Sequence, residues 1–226
     1  MSLQKENHPS VKVCVVGVSG TGKTTLFESL VRRARARWLF LYDHKDGDLA
    51  RRWQVPACNT PDDLLDAIEA GRRVLIFNPH EMFPGSDPAD GFDFFCKFVW
   101  EVGRLMRGVK IIGADELDAI CDERSKPKEL CKILNMGLTF QFDGYFIAQS
   151  MNGVHNQVRK QITEIFAFRQ GDANGLEWLK QKGFDGQELE TIKNGIWKYK
   201  NLTTGAAASG GKEFEPKGAC RDLRGL

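Results

Sequence analysis

Residues 17–24 read Gly17-Val-Ser-Gly-Thr-Gly-Lys-Thr24 and fit the pattern G-x-x-x-x-G-K-[ST] at every fixed position. The chemistry open to such a stretch is phosphate binding. Gly17, Gly20 and Gly22 let main-chain N–H groups approach anionic oxygens, with Ser19 and Thr21 between them. A helix opening at Lys23 points its positive end at the same anion. Lys23 is the residue to reach the β- and γ-phosphates, and the Thr24 hydroxyl the one to hold Mg²⁺, with Thr25 following in the first turn. ATP and Mg²⁺ are the expected cofactors.

A second group of reactive residues lies roughly ninety positions downstream. Val109-Lys-Ile-Ile-Gly-Ala-Asp115-Glu116 is an apolar run that ends in two acids. Beside a phosphate loop this is the Walker B pattern. Asp115 would hold the Mg²⁺ shell, and Glu116 would polarise the attacking water as general base. An Asp-Glu pair could instead complement the dipole of a helix that starts there; the upstream phosphate loop favours catalysis. The adjacent Glu also favours hydrolysis over phosphoryl transfer to a small molecule. Gln149 closes the run Tyr145-Phe-Ile-Ala-Gln149 and is placed to sense the γ-phosphate or orient water.

These residues need elements to carry them. Val11 to Val18 is apolar and β-branched, the mark of a buried parallel strand, and Leu26, Leu30 and Val31 then recur at helical spacing from Lys23 to about Arg35. Further strands are expected at Trp38–Tyr42, Arg73–Phe77, Val109–Ala114, Tyr145–Gln149 and Ile165–Arg169. Helices are expected at Pro61–Ala70, with Thr60 as N-cap, and at Phe92–Arg107, Asp115–Lys126 and Lys128–Met136. The 92–107 helix gathers Phe95, Phe98, Val99, Val102, Leu105 and Met106 on one side, with Phe94 and Trp100 elsewhere. Its second apolar side faces either the core or another subunit. Alternating strands and helices predict an α/β fold, a mostly parallel sheet with helices on both faces. Ligands then sit at the carboxyl ends of its strands. Asn194 to Asn201 alternates in character and predicts a terminal β-hairpin with Lys212–Glu215 as partner, joined through a flexible glycine-rich loop at 205–212.

Composition sets outer limits. Of 226 residues 42% are hydrophobic, enough for the core of a single domain, and the net charge of +2 supplies no global field to draw in nucleic acid. Any DNA contact must come from local patches such as Arg32-Arg33-Ala-Arg35-Ala-Arg37, Arg51-Arg52 or Arg72-Arg73. Six cysteines lack a C-x-x-C pair and the four histidines are isolated, which argues against a zinc site or disulfide framework. No signal peptide and no run of about eighteen apolar residues is expected to act as a membrane segment.

Taken together, Gly17–Thr24, Asp115-Glu116 and the strand closed by Gln149 resemble the FtsK–HerA superfamily of P-loop ATPases. Leu41-Tyr-Asp-His-Lys-Asp-Gly47 is similar to the acidic, glycine-containing end of that family's second strand. Val158–Arg169 is similar to its strand after the glutamine, and Asn194-Gly-Ile-Trp-Lys-Tyr199 to its Gly-led hairpin. The resemblance spans residues 11–203, after a flexible lead-in at 1–10 and before a hairpin end and flexible tail at 204–226. It implies a RecA/FtsK-like core and self-association into a ring, often a hexamer, that pumps double-stranded DNA without sequence specificity. A bare core of this size resembles the branch that packages genomes into tailless icosahedral viruses with an internal membrane. That implies capsid-vertex or portal-like partners and a location in the virion or host cytoplasm. Many relatives carry a Gly-Arg pair whose arginine reaches the neighbouring subunit's nucleotide. Here Gly137-Leu138 lacks it, so such a finger falls to Arg124 or Arg159. The other readings are a P-loop small-molecule kinase, with residues 32–37 on substrate phosphates, and a nucleotide-switched phage assembly or export protein.

Overall fold

A computed structural model describes residues 9–125 and 127–211. Strands β1 (Lys12–Val16), β2 (Trp38–Tyr42), β3 (Val74–Phe77), β4 (Lys110–Ala114), β5 (Phe142–Ala148) and β6 (Glu164–Ala167) run parallel, and β7 (Trp197–Asn201) and β8 (Ala207–Gly210) close the sheet antiparallel. The spatial order is β3-β2-β4-β5-β1-β6-β7-β8. The helices are α1 (Lys23–Arg33), α2 (Asp48–Trp53), α3 (Pro61–Glu69), α4 (Pro88–Gly103), α5 (Leu117–Ile120), α6 (Lys128–Asn135), α7 (Gly137–Phe140), α8 (Asn156–Arg159), α9 (Ala173–Gln181) and α10 (Gly186–Thr191).

Strand periodicity explains the two cores. Val13 and Val15 of β1 and Leu39 and Leu41 of β2 point to one face, where Leu26, Phe27, Leu30 and Val31 of α1 cover them. Cys14, Val16, Phe40 and Tyr42 point to the other, under α4, α6 and α9. Successive side chains of a strand alternate faces, so a strand buried on both sides is apolar along most of its length. This is the α/β, mostly parallel sheet covered on both faces that the residue pattern predicts.

Several element bounds differ from expectation. Helix α4 starts at Pro88 rather than Phe92, because Asp87 caps it by accepting the Ala89 N–H at 2.9 Å and proline suits the first turn. It ends at Gly103, where a Cβ would come within 2.6 Å of the Phe142 ring. Leu105 therefore lies past the helix and is 73% exposed, whereas Trp100 is buried against Phe140 and Phe142 with ring centroids 5.2 and 6.3 Å away. Phe94 packs on Phe77 and Phe83, so the second apolar side of α4 is satisfied within the chain. The helix expected at 115–126 is a single turn. Asp122 accepts the N–H groups of Arg124 and Ser125 at 2.9 and 3.0 Å, an alternative to helical bonding that ends α5.

The glycine-rich stretch expected as a loop supplies strand β8. Gly210 makes this possible, since a Cβ there would lie 2.2 Å from the Trp197 ring. The indole instead rests over bare backbone and donates from Nε1 to the Gly211 carbonyl at 2.9 Å. The partner expected at Lys212–Glu215 lies outside the described residues.

Lys110, at the start of β4, is 2% exposed and donates to the Met106 carbonyl at 3.0 Å. Burial depresses its pKa to about 8. The unfolded chain thus binds the extra proton more tightly, and the stability penalty is full below about pH 8 and gone above the ordinary lysine value. Lys110→Met is expected to stabilise the fold near pH 7 by about 2 kcal/mol, a desolvation gain of about 3 less about 1 for the lost hydrogen bond. Thermal or urea unfolding at pH 7 and pH 10 checks it; a gain that does not shrink at pH 10 contradicts the cause.

Candidate functional site

All six parallel strands end on one edge of the sheet, and every reactive residue of the site hangs from that edge. The register is what matters. Val16 of β1 pairs with Ala148 of β5, and Tyr42 of β2 pairs with Ala114 of β4. The segments that follow β1 and β5 therefore leave the sheet at one level, and those that follow β2 and β4 at another, opposite Phe146 of β5. The phosphate-type loop follows β1, Gln149 follows β5, Asp115 and Glu116 follow β4, and Asp43, His44 and Lys45 follow β2. Strand β5 lies between β1 and β4, which places Gln149 between the glycine loop and the acid pair.

The loop is held from outside and open within. Val18 N–H donates to the Arg169 carbonyl at 2.9 Å, and Gly17 N–H to that of Ala148 at 3.3 Å. A Cβ on Gly17 would strike Phe168 Cβ at 2.7 Å. Gly20 and Gly22 adopt φ of 76° and 103°, left-handed backbone that glycine enters freely. Thr21 is buried; its Oγ1 donates to the Val18 carbonyl and its own carbonyl accepts the Gly195 N–H, so its side chain serves the loop. Ser19 and Thr25 are exposed and Thr24 half-buried. Helices α3, α4, α9 and α10 begin with a side-chain cap. Helix α1 has none and no acid in its first turn, so its free N–H groups and dipole end remain available to an anion. Lys23 Nζ donates to the Val18 carbonyl at 3.0 Å. Burial lowers the Lys23 pKa, while Asp115, Asp118 and Glu116 oppose the shift and Lys45 adds to it.

The acid pair is engaged by the neighbouring strand. Lys45 Nζ lies 2.6 Å from Glu116 Oε1 and 3.2 Å from Asp115 Oδ2. His44 Nε2 lies 3.0 Å from Glu116 Oε2. Burial lowers the His44 pKa despite the pull of Glu116, so the ring is neutral near pH 7. A carboxylate only accepts, so the ring proton sits on Nε2. Partial burial works against the Lys45 charge, but its hydrogen bond to Glu116 and the fields of both acids outweigh this and raise its pKa. Glu116 itself takes φ 51°, a left-handed conformation that costs a non-glycine residue of order 1–3 kcal/mol.

Asp118, two residues on, is a site residue that sequence reading misses. Its carboxylate accepts the N–H groups of Gln149 and Ser150, each at 3.1 Å. Ser150 Oγ in turn donates to Asp172 Oδ2 at 2.8 Å, and Gln170 Nε2 to the Gln149 carbonyl at 3.3 Å. The Gln149 turn is thus tied both to the acid helix and to α9. Only the side-chain type of Asp118 is visible in sequence; its partners are 31 and 32 positions away.

Two arginines fare differently. Arg159 donates to Glu123 at 3.1 Å and to Asn152 at 3.4 Å, which holds it within the subunit. Arg124 is exposed beside a cavity of about 340 Å³ that Asp87, Asp90, Asp93 and Asp122 also line. Among the described residues no cluster of three or more His, Cys, Asp or Glu could hold a metal alone. Thr24 and Asp115 offer the hard oxygen donors that suit Mg²⁺ when phosphate oxygens and water complete the shell.

No protein-family model matches the sequence, and no curated protein matches it. Solved structures do. The genome packaging NTPase B204 from Sulfolobus turreted icosahedral virus 2, in complex with AMPPCP, superposes with a TM-score of 0.68 at 17% identity, covering 89% of this chain and 97% of that one. B204 described as the DNA-packaging ATPase of Sulfolobus turreted icosahedral virus gives 0.62 at 15% identity, covering 89% and 97%. ATPases 2 and 3 of EssC from Geobacillus thermodenitrificans give 0.58 at 13% identity, covering 88% of this chain and 39% of theirs. The fold is that of the P-loop NTPases.

Asp118→Ala should lower stability by about 1–3 kcal/mol by leaving two N–H groups at the tip of β5 without their acceptor. Thermal unfolding measures it. A variant that melts like the parent would mean that the Gln149 turn is held without Asp118.

Proposed function

We propose that this chain is an ATPase that translocates double-stranded DNA as one subunit of a ring, a hexamer on this reading, and packages a viral genome at a capsid vertex. Residues 11–203 form the ATPase unit. One observation carries the hydrolytic part. The register of β1, β5 and β4 sets a free helix N-terminus and Lys23 across from Asp115 and Glu116, with Gln149 between them. An anion at the loop would meet the N–H groups of α1 and Lys23, whose ammonium gains a far better partner in phosphate than in the Val18 carbonyl.

Thr24 and Asp115 would hold Mg²⁺, which would supply positive charge to offset that of the phosphates. Glu116 takes the proton of the attacking water, and Gln149 orients that water. Arg124 is the better candidate for a cation reaching a neighbouring subunit, because Arg159 is occupied by Glu123. The motor part rests on likeness to B204, described as a genome packaging NTPase. DNA contact draws on fewer arginines than the sequence offers. Arg32 stacks 4.0 Å over Trp53, Arg73 4.2 Å over Trp38, and Arg52 pairs with Glu28 at 2.6 Å. Arg35 and Arg37 remain exposed at the end of α1 and suit sequence-independent phosphate contact. Capsid-vertex or portal-like partners, and a place in the virion or host cytoplasm, follow from the same reading.

Hydrolysis of ATP with and without long double-stranded DNA at low salt tests it. Turnover should rise with DNA, and Glu116→Gln should lose roughly 10²–10⁴-fold while still binding ATP. Lys23→Ala should lose nucleotide affinity. Turnover indifferent to DNA would sink the motor, and phosphate transfer to a nucleoside or sugar would identify a kinase instead.

A further inference from the structure

The β2–α2 turn is built more firmly than a connecting loop requires. Asp43, 2% exposed, accepts the N–H groups of Lys45, Leu49 and Ala50 at 3.2, 2.7 and 3.1 Å. Asp46 and Gly47, with φ of 50° and 78°, turn the chain back into α2. His80 Nε2 lies 2.9 Å from the His44 carbonyl and braces the same turn from the β3 side. The result aims both His44 and Lys45 at the tip of β4.

Their contacts occupy both oxygens of Glu116. With one oxygen accepting from an ammonium and the other from an imidazole N–H, the carboxylate has both oxygens taken up, so one donor must leave before Glu116 can engage an attacking water. The two differ in freedom. His44 is a short, neutral side chain, 16% exposed, on a braced turn. Lys45 is 38% exposed, with a flexible stem and three donors. It is also electrostatically linked to Lys23, and Asp115, Glu116 and Asp118 act on Lys23 as well. Lys45 reaches the acids at the tip of β4 and Lys23 opens the helix after β1, so the sheet brings both lysines to the same end, where a terminal phosphate held by Lys23 would lie.

We infer that Lys45 is a phosphate-contacting residue supplied within the subunit, one that leaves Glu116 for the γ-phosphate of a bound nucleoside triphosphate. The inference rests on the nucleotide-hydrolysing reading of the site. A γ-phosphate carries more charge than either of the two carboxylates that Lys45 touches and competes with them for the ammonium; a diphosphate offers nothing at that position and leaves Lys45 on the acids. Glu116 is then freed as base only when a triphosphate is present, and His44 keeps it oriented. Lys45 thereby makes the site discriminate triphosphate from diphosphate.

The test is calorimetric titration of wild type, Lys45→Ala, Lys45→Gln and Lys45→Arg with ADP and with ATPγS, in Mg²⁺, with unfolding midpoints measured alongside. Lys45→Ala and Lys45→Gln should weaken ATPγS by roughly ten- to a hundredfold while ADP stays within about twofold, and Lys45→Arg should retain part of the preference. Turnover should fall in the same order. Equal weakening of both nucleotides would assign Lys45 a merely structural role and overturn the inference, as would unchanged ATPγS affinity. Faster turnover in Lys45→Ala would make Lys45 a brake on Glu116 with no phosphate contact, and also overturns it. Wild type that binds neither nucleotide would overturn the nucleotide-hydrolysing reading together with this one.

Discussion

Parallel pairing imposes the constraint from which the rest of this molecule follows. Parallel strands cannot be joined by a tight turn, so each returns through a crossover and all six end on one edge. Pairing of Val16 with Ala148, Phe146 with Ala114, and Ala114 with Tyr42 then fixes how far each tip projects. A slip of one residue in any of these pairs would turn its side chains to the other face and disrupt the packing of both cores at once. The burial of two apolar faces thus holds the reactive tips in register, and geometry at the site is a by-product of packing in the core.

The site concentrates what the rest of the fold avoids. Three carboxylates, two lysines and an imidazole meet at the strand tips, and Glu116 sits in left-handed backbone. Such an arrangement is costly unless its charges are paired, and here His44 and Lys45 after β2 pair with Asp115 and Glu116 after β4, across strands instead of along the chain. Helix ends follow the same division. Thr60, Asp87, Asp172 and Asp185 satisfy the N–H groups of α3, α4, α9 and α10, while α1 keeps its own unused beside Lys23. Close packing brings α1 there. Gly113 in β4 lacks the Cβ that would lie 3.2 Å from the Phe27 ring, so α1 can settle onto the strands.

Aromatic residues account for a small part of the positive charge. Trp38 and Trp53 each lie under an arginine, and Trp100 lies under Lys132 at 4.5 Å. These cations cover apolar rings at the rim of the core, a use that composition cannot separate from nucleic-acid binding. The clusters at 32–37, 51–52 and 72–73 are therefore part scaffold and part surface.

What the sequence determined alone is whatever a short window encodes. The loop at Gly17–Thr24 is contiguous, and Trp38–Tyr42 is read to the residue because its five positions are all apolar or aromatic and all buried. The acid pair shows itself as two charges ending an apolar run. Tertiary structure decided the rest. The bond from Asp118 to Gln149, the reach of Lys45 and His44 to Glu116, and the seat of Trp197 over Gly210 join residues 13 to 72 positions apart. Strand order set those neighbours, and strand order depends on which faces bury best together. That is a property of the whole core, and no window of residues carries it.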